Sequence, residues 1–224
     1  MVEELSTIRF SDSVQFSYYK PSFISESVKK KSPELFALLK TSDLLPGEYE
    51  GGLKIWECSI DLGRYISRLD SKVKLANKNV VELGCGAGIP GLASLLSNAN
   101  RVVFQDYNKE VLDLWTRPNV ELMRKVGKCS FYACDWENIS QVISEKFDII
   151  LSSETIYCPS SYEKLFKAIS TLLKQDGIAL VAAKSYYFGV GGSVSGFSDY
   201  VKNEKSLIGE VIWTSENSCV PRHI

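Results

Sequence analysis

Glu82-Leu83-Gly84-Cys85-Gly86-Ala87-Gly88-Ile89-Pro90-Gly91 is the stretch on which the fold of this 224-residue chain turns. Residues 80–83 before it are apolar and β-branched in the manner of a buried strand, and residues 89–98 after it have helical spacing. Glycines at such a junction allow a tight turn and a close approach of backbone to a ligand, while the free N–H groups of the helix start offer donors. Pro90 suits a first helical turn, where its missing N–H would have had no partner. Outward from the loop, strand candidates at 101–105, 130–133, 147–151 and 178–182 alternate with helix candidates at 108–116, 136–145 and 160–174. That alternation specifies right-handed βαβ units and an α/β sheet, mostly parallel, with helices on both faces. The loop then lies at the carboxyl edge, where open sheets bind ligands. Strand candidates at 207–213 and 219–224 predict an antiparallel C-terminal hairpin. Residues 1–50 read as an N-terminal extension, with a helix capped by Ser32, Pro33 in its first turn, and Leu35, Phe36, Leu38 and Leu39 on its apolar side. Residues 51–224 read as the functional domain.

Composition excludes several classes. The 26 Lys and Arg against 27 Asp and Glu leave a net charge of −1, without the cationic excess that coats nucleic acid or binds anionic membranes. The single histidine, His223, cannot build a His-rich metal site, and no metal is expected; it reads as a strand-end residue. Six scattered cysteines without a C-x-x-C pair read as free thiols in a reducing compartment, cytoplasm or nucleus. The Met1-Val2-Glu3-Glu4 start has no apolar run and is expected to be neither signal nor transit peptide. The apolar run 178–183 has strand length, far short of the ~20 residues needed to cross a bilayer. A monomer is expected, and Lys29 to Lys31 read as a solvated face.

The glycine loop fits two fingerprints. Gly86-Ala87-Gly88-Ile89-Pro90-Gly91 matches the dinucleotide pattern, with Asp106 about 20 residues on as the ribose acid. Read from Glu82, through Gly84, Gly86 and Gly88, it is the acidic-x-G-x-G-x-G loop of S-adenosylmethionine-dependent methyltransferases. A carboxylate at Glu82 aimed into the loop would repel a pyrophosphate but suits an ammonium and a sulfonium, which favours the methyl donor over NAD. Asp106, ending the second strand, accepts ribose hydroxyls or else caps the next helix, a role that Asn108 fills equally. Asp135 and Trp136, at the end of the third strand, serve the adenine by accepting and stacking, or Trp136 is core. Asn108 and Ser153 belong to the same candidate cofactor-contacting set.

Three further segments are more specific: Pro46-Gly47-Glu48-Tyr49-Glu50-Gly51-Gly52-Leu53-Lys54-Ile55-Trp56-Glu57-Cys58, Ser152-Ser153-Glu154-Thr155-Ile156-Tyr157, and Lys184-Ser185-Tyr186-Tyr187-Phe188-Gly189-Val190-Gly191-Gly192. With 104–108 and Thr116-Arg117-Pro118-Asn119-Val120, they resemble the eukaryotic histidine protein methyltransferases that modify a large-subunit ribosomal protein. The resemblance implies a Rossmann-like seven-strand methyltransferase sheet over the 51–224 domain, with Trp56 and Glu57 near the cofactor. It also implies that Glu154 and Tyr157 stand where related protein methyltransferases carry an acid-x-x-Tyr motif.

A histidine nucleophile needs no strong base, since imidazole is largely neutral near pH 7 with a reference pKa of about 6.5. What must be set is the tautomer, by an acceptor for the other ring N–H. Glu154, just past the fourth strand, is the candidate acceptor or else begins the next helix; Tyr157 orients the ring or walls the pocket. Residues 184–192 read as a mobile loop closing on a peptide, with Tyr187 and Phe188 as apolar contacts, or as a plain surface loop. The expected activity is S-adenosylmethionine-dependent protein-histidine N-methylation of a large-subunit ribosomal protein, in ribosome biogenesis or translation, with no nucleic-acid or membrane requirement. Lysine methylation by the same fold is the near alternative; an NAD-linked oxidoreductase and a non-catalytic ribosome-assembly factor are the distant ones.

Overall fold

The computed structural model describes residues 4–40, 42–68, 71–123, 128–216 and 218–224. The chain-start reading on Met1 to Glu3 lies outside them. An N-terminal hairpin, β1 (Leu5–Arg9) and β2 (Gln15–Tyr19), is followed by α1 (Pro21–Lys31), α2 (Pro33–Leu39) and α3 (Glu57–Ile66). The alternating part then runs β3 (Asn79–Leu83), α4 (Ile89–Leu96), β4 (Arg101–Asp106), α5 (Lys109–Val111), a π turn (Leu112–Thr116) and α6 (Arg117–Leu122). It continues with β5 (Lys128–Ala133), α7 (Ile139–Val142), β6 (Phe147–Ser153), α8 (Tyr162–Leu172), β7 (Leu173–Lys184), α9 (Val194–Glu204) and β8 (Arg222–His223). Among the described residues, no helix is long and apolar enough to cross a membrane.

Strand order β5-β4-β3-β6-β7-β8, parallel except for β7 with β8, is the expected mostly parallel sheet. Crossovers leave β3 in both directions, so the crevice at its carboxyl end is the switch point of the sheet. The period of two sorts the central strands between two cores. Val80, Val102, Phe104, Ile149 and Leu151 face one layer with α3, α4 and the π turn, while Val81, Val103 and Ile150 face α7, α8 and α9.

Among the described residues six strands form the sheet, and the place of a seventh is held by backbone pairing alone: Ile212 N donates to Ile224 O at 2.8 Å, and Thr214 bridges His223. The expected strand over 207–213 does not form, because Ile208 and Val211 project into solvent without a sheet face to cover them. Arg222, bonded to the buried Asp61 of α3, anchors β8.

Residues 4–40 contain more structure than the single helix read from sequence. Phe16, Ile24, Val28 and Leu35 join the first core layer, and the hairpin is stitched to the domain by Tyr19 N donating to Asn119 Oδ1 and Trp115 Nε1 donating to Tyr19 O, both at 2.9 Å. Ser32 stands at the N-cap of α2 with Pro33 beside it, but its side chain makes no cap bond. Lys29 to Lys31 are exposed.

Candidate active site

At the carboxyl ends of β3, β4 and β6 a cleft opens between the glycine loop and residues 46–56. The loop is held by groups from distant segments. Gln105 O accepts from Cys85 N at 2.9 Å, and the Gln105 side-chain oxygen accepts from Gly84 N and from Trp136 Nε1. Asp106 Oδ2 accepts from Gly86 N at 2.9 Å. The carbonyls are covered from below: Thr116 Oγ1 donates to Gly86 O at 2.6 Å and Asn119 Nδ2 to Ala87 O at 3.0 Å. Pro118 has no N–H to give its helix, and the π turn just before it carries Thr116 to this position. Thr116 and Asn119 carry no sign of this role in the sequence, since they lie about 30 residues from the carbonyls they serve.

Residues 46–52 lie across the loop as a strap. Tyr107 Oη donates to Gly47 O and Asn108 Nδ2 to Glu48 O, each at 2.7 Å, while Asn108 Oδ1 accepts from Glu50 N. Two glycines meet here: a Cβ on Gly86, at φ +51, would stand 3.0 Å from Gly52 O, and one on Gly52 would stand 2.9 Å from the Val111 side chain. Side chains at these positions would force the strap from the loop.

Of the expected cofactor residues, Trp56, Gly84, Gly86, Asp106, Asp135, Trp136 and Ser153 line the cleft. Trp56 Nε1 donates to Gly51 O at 3.0 Å and Lys54 lies over its ring. Asp135 accepts from Glu137 N and faces Lys164 Nζ at 3.2 Å. Glu82, Gly88, Glu57 and Asn108 do not line it. Glu82 is fully buried beneath the loop, where its Oε2 accepts from Gly91 N at 2.8 Å and its Oε1 has no hydrogen-bond partner among the described residues. Burial pushes its pKa up, and its place beneath the loop, bonded to the start of α4, keeps it from facing a ligand's ammonium. The charge argument that favoured the methyl donor therefore does not operate through Glu82. Gly88, at φ +77, starts α4 against Phe104 and Thr116. Glu57 points outward to Lys184 at 3.1 Å, and Asn108 is spent on the strap.

Glu154 and Tyr157 also line the cleft. Glu154 is 7% exposed, has φ +58, and uses both oxygens: Oε1 accepts from Cys58 N at 3.3 Å and Oε2 from Tyr187 Oη at 2.6 Å. It is a cleft residue and not a helix start, since the helical segment that follows begins only at Pro159. Tyr157 Oη donates to Glu50. Burial, then the neighbouring carboxylates, raises the pKa of both phenols, which stay protonated donors. Glu50 carries no sign of its role in the sequence, and Tyr187, expected as an apolar contact on a peptide, instead turns its phenol to Glu154; each role depends on a partner 107 or 33 residues away.

The lining fits a nucleoside. Gly84 and Gly86 add no side chains to it, Asp106 carries an acceptor for hydroxyls, and Trp136 carries a ring. Burial pushes the Asp106 carboxyl up to about 6 against the opposing bonds from Gly86 and Asn108. Ribose hydroxyls would donate to the charged form, so ligand binding lowers this pKa and protonation opposes binding. Affinity for S-adenosylhomocysteine is expected to be level above pH 6 and to fall by up to about tenfold per pH unit below it. Calorimetry between pH 5 and 7.5 checks this; a flat profile would contradict it.

Residues 46–188 match the family described as lysine methyltransferase. The chain is 45% identical over 167 residues to a Dictyostelium discoideum histidine protein methyltransferase 1 homolog, covering 74% of this chain and 53% of that protein. It is 37% identical over 214 residues to the Mus musculus homolog, covering 83% and 57%. The chain thus spans about half the length of these curated relatives. In fold it is similar to a ribosomal protein L11 methylase from Lactobacillus delbrueckii subsp. bulgaricus, with TM-score 0.59, 14% identity, and coverage of 97% of this chain and 96% of that one. A second likeness, at TM-score 0.61 and 12% identity over 99% of this chain and 56% of the other, is to a protein described as a methyltransferase and solved with SAH.

Proposed function

The chain belongs to the lysine methyltransferase family, and from that membership we propose that it is an S-adenosylmethionine-dependent protein-histidine N-methyltransferase. One observation carries the reading: one cleft is lined both by Gly84, Gly86 and Asp106 and by Glu154 and Tyr157. The choice of histidine over lysine follows the curated relatives, which are histidine protein methyltransferases.

Bound S-adenosylmethionine would supply a methyl group activated by its sulfonium. The chain's own contribution is orientation, worth up to ~7–11 kcal/mol when reacting atoms are held aligned. Glu154 accepts two protein hydrogen bonds and, with about four lone-pair sites on a carboxylate, retains capacity for an imidazole N–H. That bond leaves the other ring nitrogen with a free lone pair and stabilises the positive charge that develops on the ring. The braced Tyr157 phenol walls the ring from solvent.

Glu154→Gln keeps the size and one acceptor but removes the charge. Turnover is expected to fall about 100-fold, some 2.7 kcal/mol of barrier, with S-adenosylhomocysteine affinity within about twofold. Full turnover in this variant removes Glu154 as the acceptor.

The substrate we propose is a histidine of a large-subunit ribosomal protein, with consequences for ribosome biogenesis or translation. We place the enzyme in cytoplasm and nucleus, as a monomer; its six free cysteines support a reducing compartment. Labelled methyl donor, recombinant large-subunit ribosomal proteins and amino-acid analysis test the whole reading. Methylhistidine is the expected product; methyllysine alone would replace the target residue, and no transfer to any member would overturn the substrate.

A further inference from the structure

We propose that Tyr186, Phe188 and Val190 form a rigid ledge on which the substrate polypeptide docks, seating an apolar side chain near the target residue. This deepens the protein-methyltransferase reading and rests on it.

The segment expected to be mobile is a braced turn. Tyr187 N donates to Gly192 O at 2.9 Å, Gly191 N to Tyr187 O at 3.1 Å and Val194 N to Ser185 O at 3.2 Å. Tyr187 points inward, its phenol accepting from Lys184 N at 3.2 Å and donating to Glu154. Its neighbours point outward: Phe188 is 81% exposed, Tyr186 41% and Val190 40%. Tyr186 and Phe188 meet edge to face with centroids 4.8 Å apart. Exposed apolar side chains gathered on one turn, two of them in ring contact, mark an interaction site. Aromatic side chains on a braced backbone also lose little freedom when a partner covers them.

Location identifies the partner. Gly192 N donates to Tyr157 O at 2.9 Å, and a Cβ on Gly192 would stand 2.1 Å from Ile156 O, so the turn rests directly on the backbone of the cleft wall. Gly191 lies against Pro159, between the cleft residues Cys158 and Ser160. A polypeptide that inserts one side chain between Tyr157 and Glu154 continues in extended form over this ledge, at ~3.3 Å per residue. A small-molecule acceptor would have no use for it.

The test compares wild type with Phe188→Ala and Phe188→Trp, using labelled S-adenosylmethionine and recombinant large-subunit ribosomal proteins. The alanine variant is expected to raise the KM for protein about tenfold, leaving kcat and S-adenosylhomocysteine affinity within about twofold; the tryptophan variant keeps the KM near wild type. An unchanged KM in Phe188→Ala, or a loss confined to kcat, overturns the ledge while the enzyme assignment stands. A wild type that transfers methyl to none of these proteins overturns the ribosomal-protein substrate, and the ledge proposed for it falls with it. Exposure of Phe188 makes misfolding an unsuitable explanation, which a thermal melt of each variant checks.

Discussion

Asp106→Ala is expected to weaken S-adenosylhomocysteine binding by at least ~100-fold, about 2.7 kcal/mol. The carboxylate is almost fully buried and accepts from Gly86 N at 2.9 Å and Asn108 N at 3.2 Å. Truncation leaves two buried donors without partners, at ~1–3 kcal/mol each. It also removes the proposed acceptor for the ribose and slackens Asn108, through which the strap is held at Glu48 and Glu50. Asp106→Asn keeps one acceptor and should lose less affinity, while erasing the fall in binding below pH 6. Calorimetry on both variants decides the matter: affinity within about threefold of wild type in the alanine protein would show that the cleft does not depend on this carboxylate.

Trp115→Ala is expected to be the most damaging change to stability. The indole is fully buried in the π turn, among the first core layer, and its Nε1 donates to Tyr19 O at 2.9 Å. Removing such a side chain costs ~3–5 kcal/mol from lost burial and the remaining cavity, against a total of ~5–15 kcal/mol for a typical domain. The corresponding fall in Tm is roughly 10 °C. Because the indole clamps β2 to the helix that carries Thr116 and Asn119, cofactor affinity should fall with it. Trp115→Phe fills much of the space and leaves chiefly Tyr19 O unpaired, a loss of about 1–2 kcal/mol. A melt of Trp115→Ala within about 2 °C of wild type would mean that the N-terminal segment adds little to the domain.

The elements read correctly in sequence are those with a local signature. Buried parallel strands are runs such as Val80-Val81 and Val102-Val103-Phe104, and the helices between them keep their own period. The N-terminal hairpin escaped because neither strand buries a continuous face; β1 is only partly covered, and β2 becomes core through Phe16 when it meets α6 and the π turn. The 207–213 segment has the residues of a strand but lacks a neighbour along most of its length, and β-propensity without a partner does not make a ladder. Glu82 shows the same limit within the site: its place in the motif is legible, whereas its burial and its bond to Gly91 depend on how α4 settles over β3.

By itself the sequence determined the alternation of strands and helices, the glycine loop at the carboxyl edge, and the strand-end acids Asp106 and Glu154, since each is written in periodicity or in residues a few positions apart. Only the tertiary structure decided which groups those acids engage. It set Asp106 on the loop amides, Glu154 between Cys58 and Tyr187, Tyr157 on Glu50, and Thr116 and Asn119 beneath the loop. Hydrogen bonds act over about 3 Å, and which residues come that close is settled by strand order and helix docking across 20 to 107 positions of chain.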